Sequence, residues 1–194
     1  GGTMRNVTLL SLSLIVALAL IGCGGAKTMQ SADTGDVPEW FTNVPSDPNF
    51  LFAANTGTSQ DLQLAIDKAS TGGRAEIGRQ VEVRVNALQK RFDEEVGLGS
   101  DAQLLQQFTQ ASKTVVSTSL MGSRISKQKQ VKDGDLWRAY VLIEYPIGAA
   151  NAALVDQIKK NNEMYTRFRA SQTFEELDKE VQKYEEWKKQ QGTP

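Results

Sequence analysis

Residues 124–145 read Arg-Ile-Ser-Lys-Gln-Lys-Gln-Val-Lys-Asp-Gly-Asp-Leu-Trp-Arg-Ala-Tyr-Val-Leu-Ile-Glu-Tyr, and this stretch decides the fold. Its second part alternates with a period of two, which is typical of a β-strand. Asp133-Gly134 between the two parts is the dipeptide of a tight hairpin turn. The first part is polar and rich in lysine, which suits an edge strand, because charge there discourages unwanted pairing. The stretch therefore predicts an antiparallel hairpin.

The alternation of the second strand also predicts what lies on each of its faces. One face is the more apolar: Trp137, Ala139, Val141, Ile143 and Tyr145. The other face mixes apolar and charged side chains: Leu136, Arg138, Tyr140, Leu142 and Glu144. We therefore expect the first face to be buried and the second to be partly covered.

The residues before the hairpin predict one strand and two helices. Residues 49–57 are short, apolar and followed by turn formers, so they are predicted to form a strand. Ser59 or Asp61 is then expected to cap a helix. The apolar stripe of this helix is Leu62, Ile66, Ala69, Gly73, Ile77, Val81, Val85, Leu88 and Phe92. Small side chains at Ala65, Ala69 and Gly73 would let the helix approach a sheet closely. After a break at residues 97–101, a second helix is predicted from Leu104, Phe108, Ala111 and Val115.

The residues after the hairpin predict more helix. Pro146 ends the strand, and a helix is expected to begin near Ala149, with inward residues Leu154, Ile158, Tyr165 and Phe168. Residues 173–176 resemble a capping box that opens a last helical stretch. One side of that stretch is lined by Phe174, Leu177, Val181, Tyr184 and Trp187. The order predicts an α+β fold: a small, mostly antiparallel sheet of about three strands packed by helices, with a long C-terminal helical segment.

The amino-terminal segment has the pattern of an export signal. Met4 is the expected start, and residues 1–3 are expected to be a cloning remnant or an upstream mis-assignment. Arg5 supplies a positive charge, and residues 7–21 form an apolar run of about 15 residues. This run is shorter than the roughly 20 residues that a transmembrane helix needs. It therefore favours a signal peptide over a membrane span.

The signal ends in Leu20-Ile21-Gly22-Cys23, which resembles the lipobox of bacterial lipoproteins. The resemblance implies diacylation of the Cys23 sulfur, cleavage between Gly22 and Cys23, and acylation of the new amino terminus. Several acyl chains anchor a protein stably where one does not. Gly24 in place of aspartate implies delivery to the outer membrane under the lipoprotein sorting rule. An uncleaved anchor helix, or a secretory signal in which Cys23 is incidental, are the alternatives.

Four segments follow from these patterns. Residues 1–22 are predicted to be the lipoprotein signal peptide, and residues 23–37 a flexible tether. Residues 38–147 are predicted to form the α+β core domain. Residues 148–190 are predicted to be a C-terminal helical segment that packs on the core or on a partner.

Four features of the mature chain resemble the Lpp-twenty family of bacterial lipoproteins, which includes flagellar lipoprotein P. They are Pro38-Glu39-Trp40, Asn55-Thr56-Gly57, the alanines at 65, 69 and 75 spaced toward Arg74, and the strand from Trp137 to Leu142. Ser70-Thr71-Gly72-Gly73 departs from the alanine-rich pattern expected there. The resemblance implies a role in the cell envelope, in some members as a component of outer-membrane rings around flagella. It supplies no catalytic residues.

The composition argues against catalysis, metal binding and nucleic-acid binding. The 194 residues include no histidine, the side chain most often used as a general base near neutral pH. A single cysteine cannot form an internal disulfide or a cysteine zinc cluster. The net charge of −1 provides no basic stripe for nucleic acid. We expect no enzyme activity, no metal, no cofactor and no nucleic-acid partner.

The remaining hypothesis is a structural or assembly lipoprotein that faces the periplasm or cell surface and binds itself or another envelope protein. Tyr184 and Trp187 are the candidate partner-binding residues, because they lie near the chain end beyond the part that must close the core. Packing of both rings on their own domain is the other interpretation. The alternative function is the binding of a small ligand, in a cleft formed by Trp40, Trp137, Tyr140 and Tyr145.

Overall fold

The computed structural model of this chain describes residues 37–190. The predicted signal peptide, Cys23 and most of the predicted tether lie outside the described residues. The described helices are α1 (Glu39–Thr42), α2 (Leu62–Val96), α3 (Ala102–Gly122), α4 (Ile147–Lys160), α5 (Asn162–Phe168) and α6 (Gln172–Gln190). The strands are β1 (Phe50–Ser59), β2 (Arg124–Asp133) and β3 (Leu136–Pro146). A 3₁₀ turn at Leu98–Ser100 joins α2 to α3.

The three strands form one antiparallel sheet in the order β1-β3-β2. The predicted hairpin is confirmed: Asp133 pairs with Leu136, and Gly134 has a positive φ of 61°. The lysine-rich strand β2 lies at one edge, as its composition predicted. The chain is therefore of the predicted α+β class, with a small antiparallel sheet and a long C-terminal helix.

Both faces of the central strand β3 are covered. Ala139, Val141 and Ile143 are fully buried against the helices. On the opposite face Tyr140 and Leu142 are also buried, and the ring of Phe41 in α1 lies 5.0 Å from that of Tyr140. The short helix α1 is thus part of the cover of the second face.

Helix α2 lies very close to the sheet. A Cβ added to Gly73 would stand 2.5 Å from Cγ1 of Ile143, and one added to Gly57 would stand 2.5 Å from the Ala65 carbonyl. The predicted stripe is confirmed from Ile66, which is half-buried and packs against the core, to Phe92, but Leu62 is not part of the core. In the first turn Ala65 is buried instead, because the close contact with β1 leaves room for a small side chain only. Of the two predicted caps, Asp61 accepts the Leu64 amide at 2.7 Å.

Side chains of α2 also reach the free edge of β1. The Gln80 amide donates to the Phe52 carbonyl at 3.0 Å, and the Lys68 ammonium donates to the Thr58 carbonyl at 3.1 Å. Backbone groups at a sheet edge are otherwise free to pair with another strand. The edge of β1 is therefore partly occupied by its own helix.

The far end of the core is aromatic. Phe92 of α2 stacks on Phe168 of α5 with ring centroids 4.3 Å apart, and Phe108 of α3 lies edge-on to both. All three rings are fully buried. Their mutual contacts hold α2, α3 and α5 together at this end of the core.

The C-terminal segment differs from the prediction in two places. The helix expected from Ala149 onward is divided at Asn161, whose side chain accepts the Met164 amide at 3.0 Å and begins a new helix. Tyr165, predicted to point inward, is exposed. The predicted capping box is also wrong: Ser171 accepts the Phe174 amide at 3.2 Å, while the Thr173 hydroxyl binds the Glu95 carboxylate. The local cap is therefore Ser171, and the residue predicted as the cap binds a partner 78 residues away in sequence.

Candidate functional site: an aromatic groove on the last helix

An open groove of about 340 Å³ lies between α6, the start of β1 and the junction of β3 with α4. We call it the aromatic groove. It is lined by Pro48, Asn49, Phe50, Arg84, Pro146, Ile147, Gly148, Asn151, Glu180, Lys183, Tyr184 and Trp187. Both candidate partner-binding residues predicted from the sequence, Tyr184 and Trp187, therefore line the same groove.

Three aromatic rings form one wall of the groove. Tyr184 and Trp187 are three residues apart on α6, and their rings lie nearly parallel with centroids 5.9 Å apart. Phe50 meets the Trp187 ring edge-on, also at 5.9 Å. Gly148 allows Tyr184 to approach α4, because a Cβ at residue 148 would stand 2.5 Å from the Tyr184 Cβ. The wall is therefore held by contacts with β1 and α4.

Burial decreases along α6 toward this wall. Phe174 and Leu177 are buried, whereas Tyr184 is half-buried and Trp187 is 38% exposed. Packing on the same domain thus accounts for the burial of Tyr184, but it leaves much of the Trp187 ring in water. Exposed aromatic rings beside a groove are characteristic of binding surfaces.

Charged and amide groups surround the aromatic wall. Arg84 of α2 and Lys183 of α6 line the groove, and among residues 37–190 neither forms an ion pair. The Asn151 amide donates to the Glu180 carboxylate at 2.8 Å. The ammonium of Lys188 lies 5.1 Å from the Tyr184 ring centre, and its bond to Glu185 raises the pKa of Lys188.

A second groove of about 180 Å³ continues from the first between α2 and α6. The two grooves share Arg84, Asn151 and Glu180. The second groove has an apolar floor that includes Leu88 and Leu177, with Arg91 and Glu176 at 3.5 Å from each other on its rim. Together the grooves follow most of the length of α6.

Burial shifts the pKa values of two tyrosines near the aromatic groove. Burial raises the pKa of Tyr145 to about 12, with a smaller contribution from Tyr184, so its phenol stays neutral near pH 7. Burial also raises the pKa of Tyr184. Within residues 37–190, no group of three or more acidic, histidine or cysteine side chains is arranged to hold a metal ion.

The aromatic quartet considered for a ligand cleft is not brought together. Helix α1, which carries Trp40, contacts the sheet face of Tyr140 through Phe41. Trp137 belongs to the opposite face and packs against the main core, with the Lys132 ammonium 5.6 Å from its ring centre. Trp40 and Trp137 therefore do not line a common pocket.

Sequence reasoning missed the residues that complete the groove. Phe50, Arg84, Gly148 and Asn151 come from three different elements, and no local periodicity connects them with α6. The sequence did show apolar side chains at the end of α6 and at the start of β1. That these two ends lie next to each other is visible only in the three-dimensional structure.

A scan against protein-family models finds no match for this chain, and a search of curated proteins finds no relative. In the described part of the chain, no helix has both the length and the apolar character needed to cross a membrane.

Proposed function

We propose that this chain is a non-catalytic envelope lipoprotein, held at the outer membrane through Cys23, with a structural or assembly role. The single observation that carries the docking role is Trp187, which remains 38% exposed beside a groove in spite of its contacts with Phe50 and Tyr184. The lipobox-like motif supports the anchor. The resemblance to the Lpp-twenty family favours an envelope setting, with association to a flagellum as its specific form.

The anchor is tested by the variant Cys23→Ser in the full chain. We expect this protein to lose acylation and to leave the membrane fraction. Residues 7–21 are too short to span the membrane, so they could not anchor the chain in place of its three acyl chains. Mass spectrometry and cell fractionation measure the two effects. Retention of the variant in the membrane would show that residues 7–21 act as a helical anchor.

The docking role is tested by photo-crosslinking in living cells. A photoreactive amino acid at Lys183, within the groove, is expected to capture an envelope protein or a second copy of the chain. The same amino acid at Lys113, an exposed position on α3, is the matched control. An absence of adducts specific to position 183 would contradict docking at the groove.

A small-ligand-binding function is the second candidate, and the size of the groove favours it. About 340 Å³ falls in the range of pockets that hold small molecules, roughly 300–1,000 Å³. Native mass spectrometry of the full chain purified from its own membranes discriminates the two functions. A bound small molecule lost in a Trp187→Ala variant supports ligand binding, and a wild-type mass with no small molecule bound contradicts it.

A further inference from the structure

The exposed side of α6 carries four side chains whose spacing is the same from both ends. They are Glu176, Glu180, Lys183 and Trp187, separated by four, three and four residues. At 3.6 residues per turn, these steps keep all four on one side of the helix. All four are exposed. We call them the α6 row.

Charge is divided along this row. Its first half is acidic, and its second half is cationic at Lys183, with Arg84 of α2 beside it in the same groove. Neither cation has an ion-pair partner among the described residues. Glu180 is held by the neutral amide of Asn151, so its charge is not compensated there. Glu176 is paired with Arg91 at 3.5 Å, so the uncompensated charges of the row are those of Glu180 and Lys183, which have opposite sign and lie on either side of its centre.

Symmetric spacing with opposite charge on the two sides of the centre is complementary to itself. When two copies of α6 lie antiparallel across a two-fold axis between residues 181 and 182, Glu180 faces Lys183 of the second copy, twice. In the same alignment, Glu176 faces Trp187 of the second copy, twice. A two-fold interface requires a surface of this kind, because each residue must match its counterpart in both directions.

The second groove provides a place for the incoming indole. Its floor includes Leu88 and Leu177, and the guanidinium of Arg91 and carboxylate of Glu176 lie on its rim. An indole in this position would bury its apolar surface, donate its N–H to the carboxylate and lie against the guanidinium. This contact removes from water the part of Trp187 that its own domain leaves exposed.

We propose that a second copy of this chain docks on the α6 row and forms a closed, antiparallel dimer. The inference rests on the proposed function, in which the groove is a docking surface, and it identifies the occupant. A purely acidic partner would match Arg84 and Lys183 but would face the uncompensated like charge of Glu180. A second copy satisfies both halves of the row.

Charge exchange between two variants tests the proposal. The full chain is purified in density-matched detergent micelles and studied by sedimentation equilibrium, where the wild type is expected to show a monomer–dimer equilibrium. Lys183→Glu and Glu180→Lys are each expected to weaken dimerisation about tenfold, because two attractive contacts become repulsive. An equal mixture of the two variants is expected to restore it, since both contacts are then attractive. Lys113→Glu, which changes the same charge on α3, should dimerise as the wild type does.

Three outcomes would overturn the proposal: a wild type that stays monomeric, a dimer that both substitutions leave intact, or a mixture no tighter than its components. Thermal unfolding of each variant confirms that the exposed substitutions leave the fold intact. A monomer in the centrifuge, together with capture of a different envelope protein at position 183 in cells, would reject the second copy and leave the docking role standing. No specific capture at position 183 would reject the docking role itself.

Discussion

Helices α2 and α6 are both long and amphipathic, but they use their apolar sides differently. Ten residues of α2 are buried, distributed from Ala65 to Phe92 along its 35 residues. Only three residues of α6 are buried, and all lie in the first six of its 19 positions. The core therefore contacts α2 along its length, whereas it contacts α6 fully only in the first two turns.

The difference shows where apolar surface serves stability and where it is available for binding. On α2, glycine and alanine reduce the distance to the sheet, and the contact excludes water. On α6, the apolar side continues into Tyr184 and Trp187 after the core has ended, so their rings border a groove. Substitutions on the two helices should therefore have different consequences for unfolding.

The largest expected effect is at Phe92. Its ring is fully buried between Phe108 and Phe168, so Phe92→Ala should lower the free energy of unfolding by about 3–5 kcal/mol. Urea denaturation of the full chain measures the change. A loss below about 1 kcal/mol would mean that this aromatic cluster does not hold the helices together.

A smaller effect is expected at the contact between α2 and the sheet. Gly73→Ala places a methyl group 2.5 Å from Ile143 on the buried strand, and it should destabilise the fold by about 1–3 kcal/mol. Gly78→Ala is the matched control on the same helix, because the one atom that its Cβ would crowd, at 2.9 Å, is the flexible end of Leu120. Alanine favours helix over glycine by up to about 1 kcal/mol, so the control should be neutral or slightly stabilised. Equal effects at both positions would contradict a tight contact at Gly73.

A still smaller effect is expected at the end of α6. Trp187→Ala should lower the free energy of unfolding by about 1 kcal/mol, because the ring is partly in water and packs mainly on Phe50 and Tyr184. Leu177→Ala, in the buried part of the same helix, should cost about 2–5 kcal/mol. If the two substitutions were equally destabilising, α6 would be a core helix throughout.

The smallest effect is expected at Glu95, which joins the end of α2 to the start of α6. The Thr173 hydroxyl donates to this carboxylate and lowers the pKa of Glu95. A carboxyl with a lowered pKa in the folded state stabilises the fold above its unfolded pKa, and this contribution is lost as the pH falls through the folded value. Glu95→Gln should therefore reduce stability slightly at pH 7 and have no such effect at pH 2. Melting temperatures at the two pH values test this, and an equal loss at both would contradict an ionic contribution.

Local patterns were sufficient to predict the hairpin, the edge position of β2 and the order of the strands and long helices up to the start of α4. Alternation across residues 137–145 and the Asp133-Gly134 turn depend only on neighbours in sequence. The errors occur where contacts between residues distant in sequence determine the helix cap or the buried side chains. Thr173 binds Glu95 while Ser171 caps α6, and the closeness of β1 leaves Leu62 outside the core.

The candidate site was predicted only in part for the same reason. The spacing of Tyr184 and Trp187 on an amphipathic helix predicted both residues and their shared side. Phe50, Gly148 and Arg84 could not be assigned, because chain topology brings them to α6 from other elements. The charge symmetry of the α6 row is visible in the sequence, but its exposure is not.

For the lipid-anchored protein proposed above, the hydrogen bonds from Gln80 and Lys68 to the edge of β1 have a further consequence. Molecules tethered to one membrane meet far more often than the same molecules in solution. Under such crowding, an open strand edge would favour amyloid-like growth without an end point. Here side chains of α2 occupy part of the β1 edge, and the β2 edge carries Lys127 and Lys129. Both features disfavour the pairing of strands between copies that fibre formation requires.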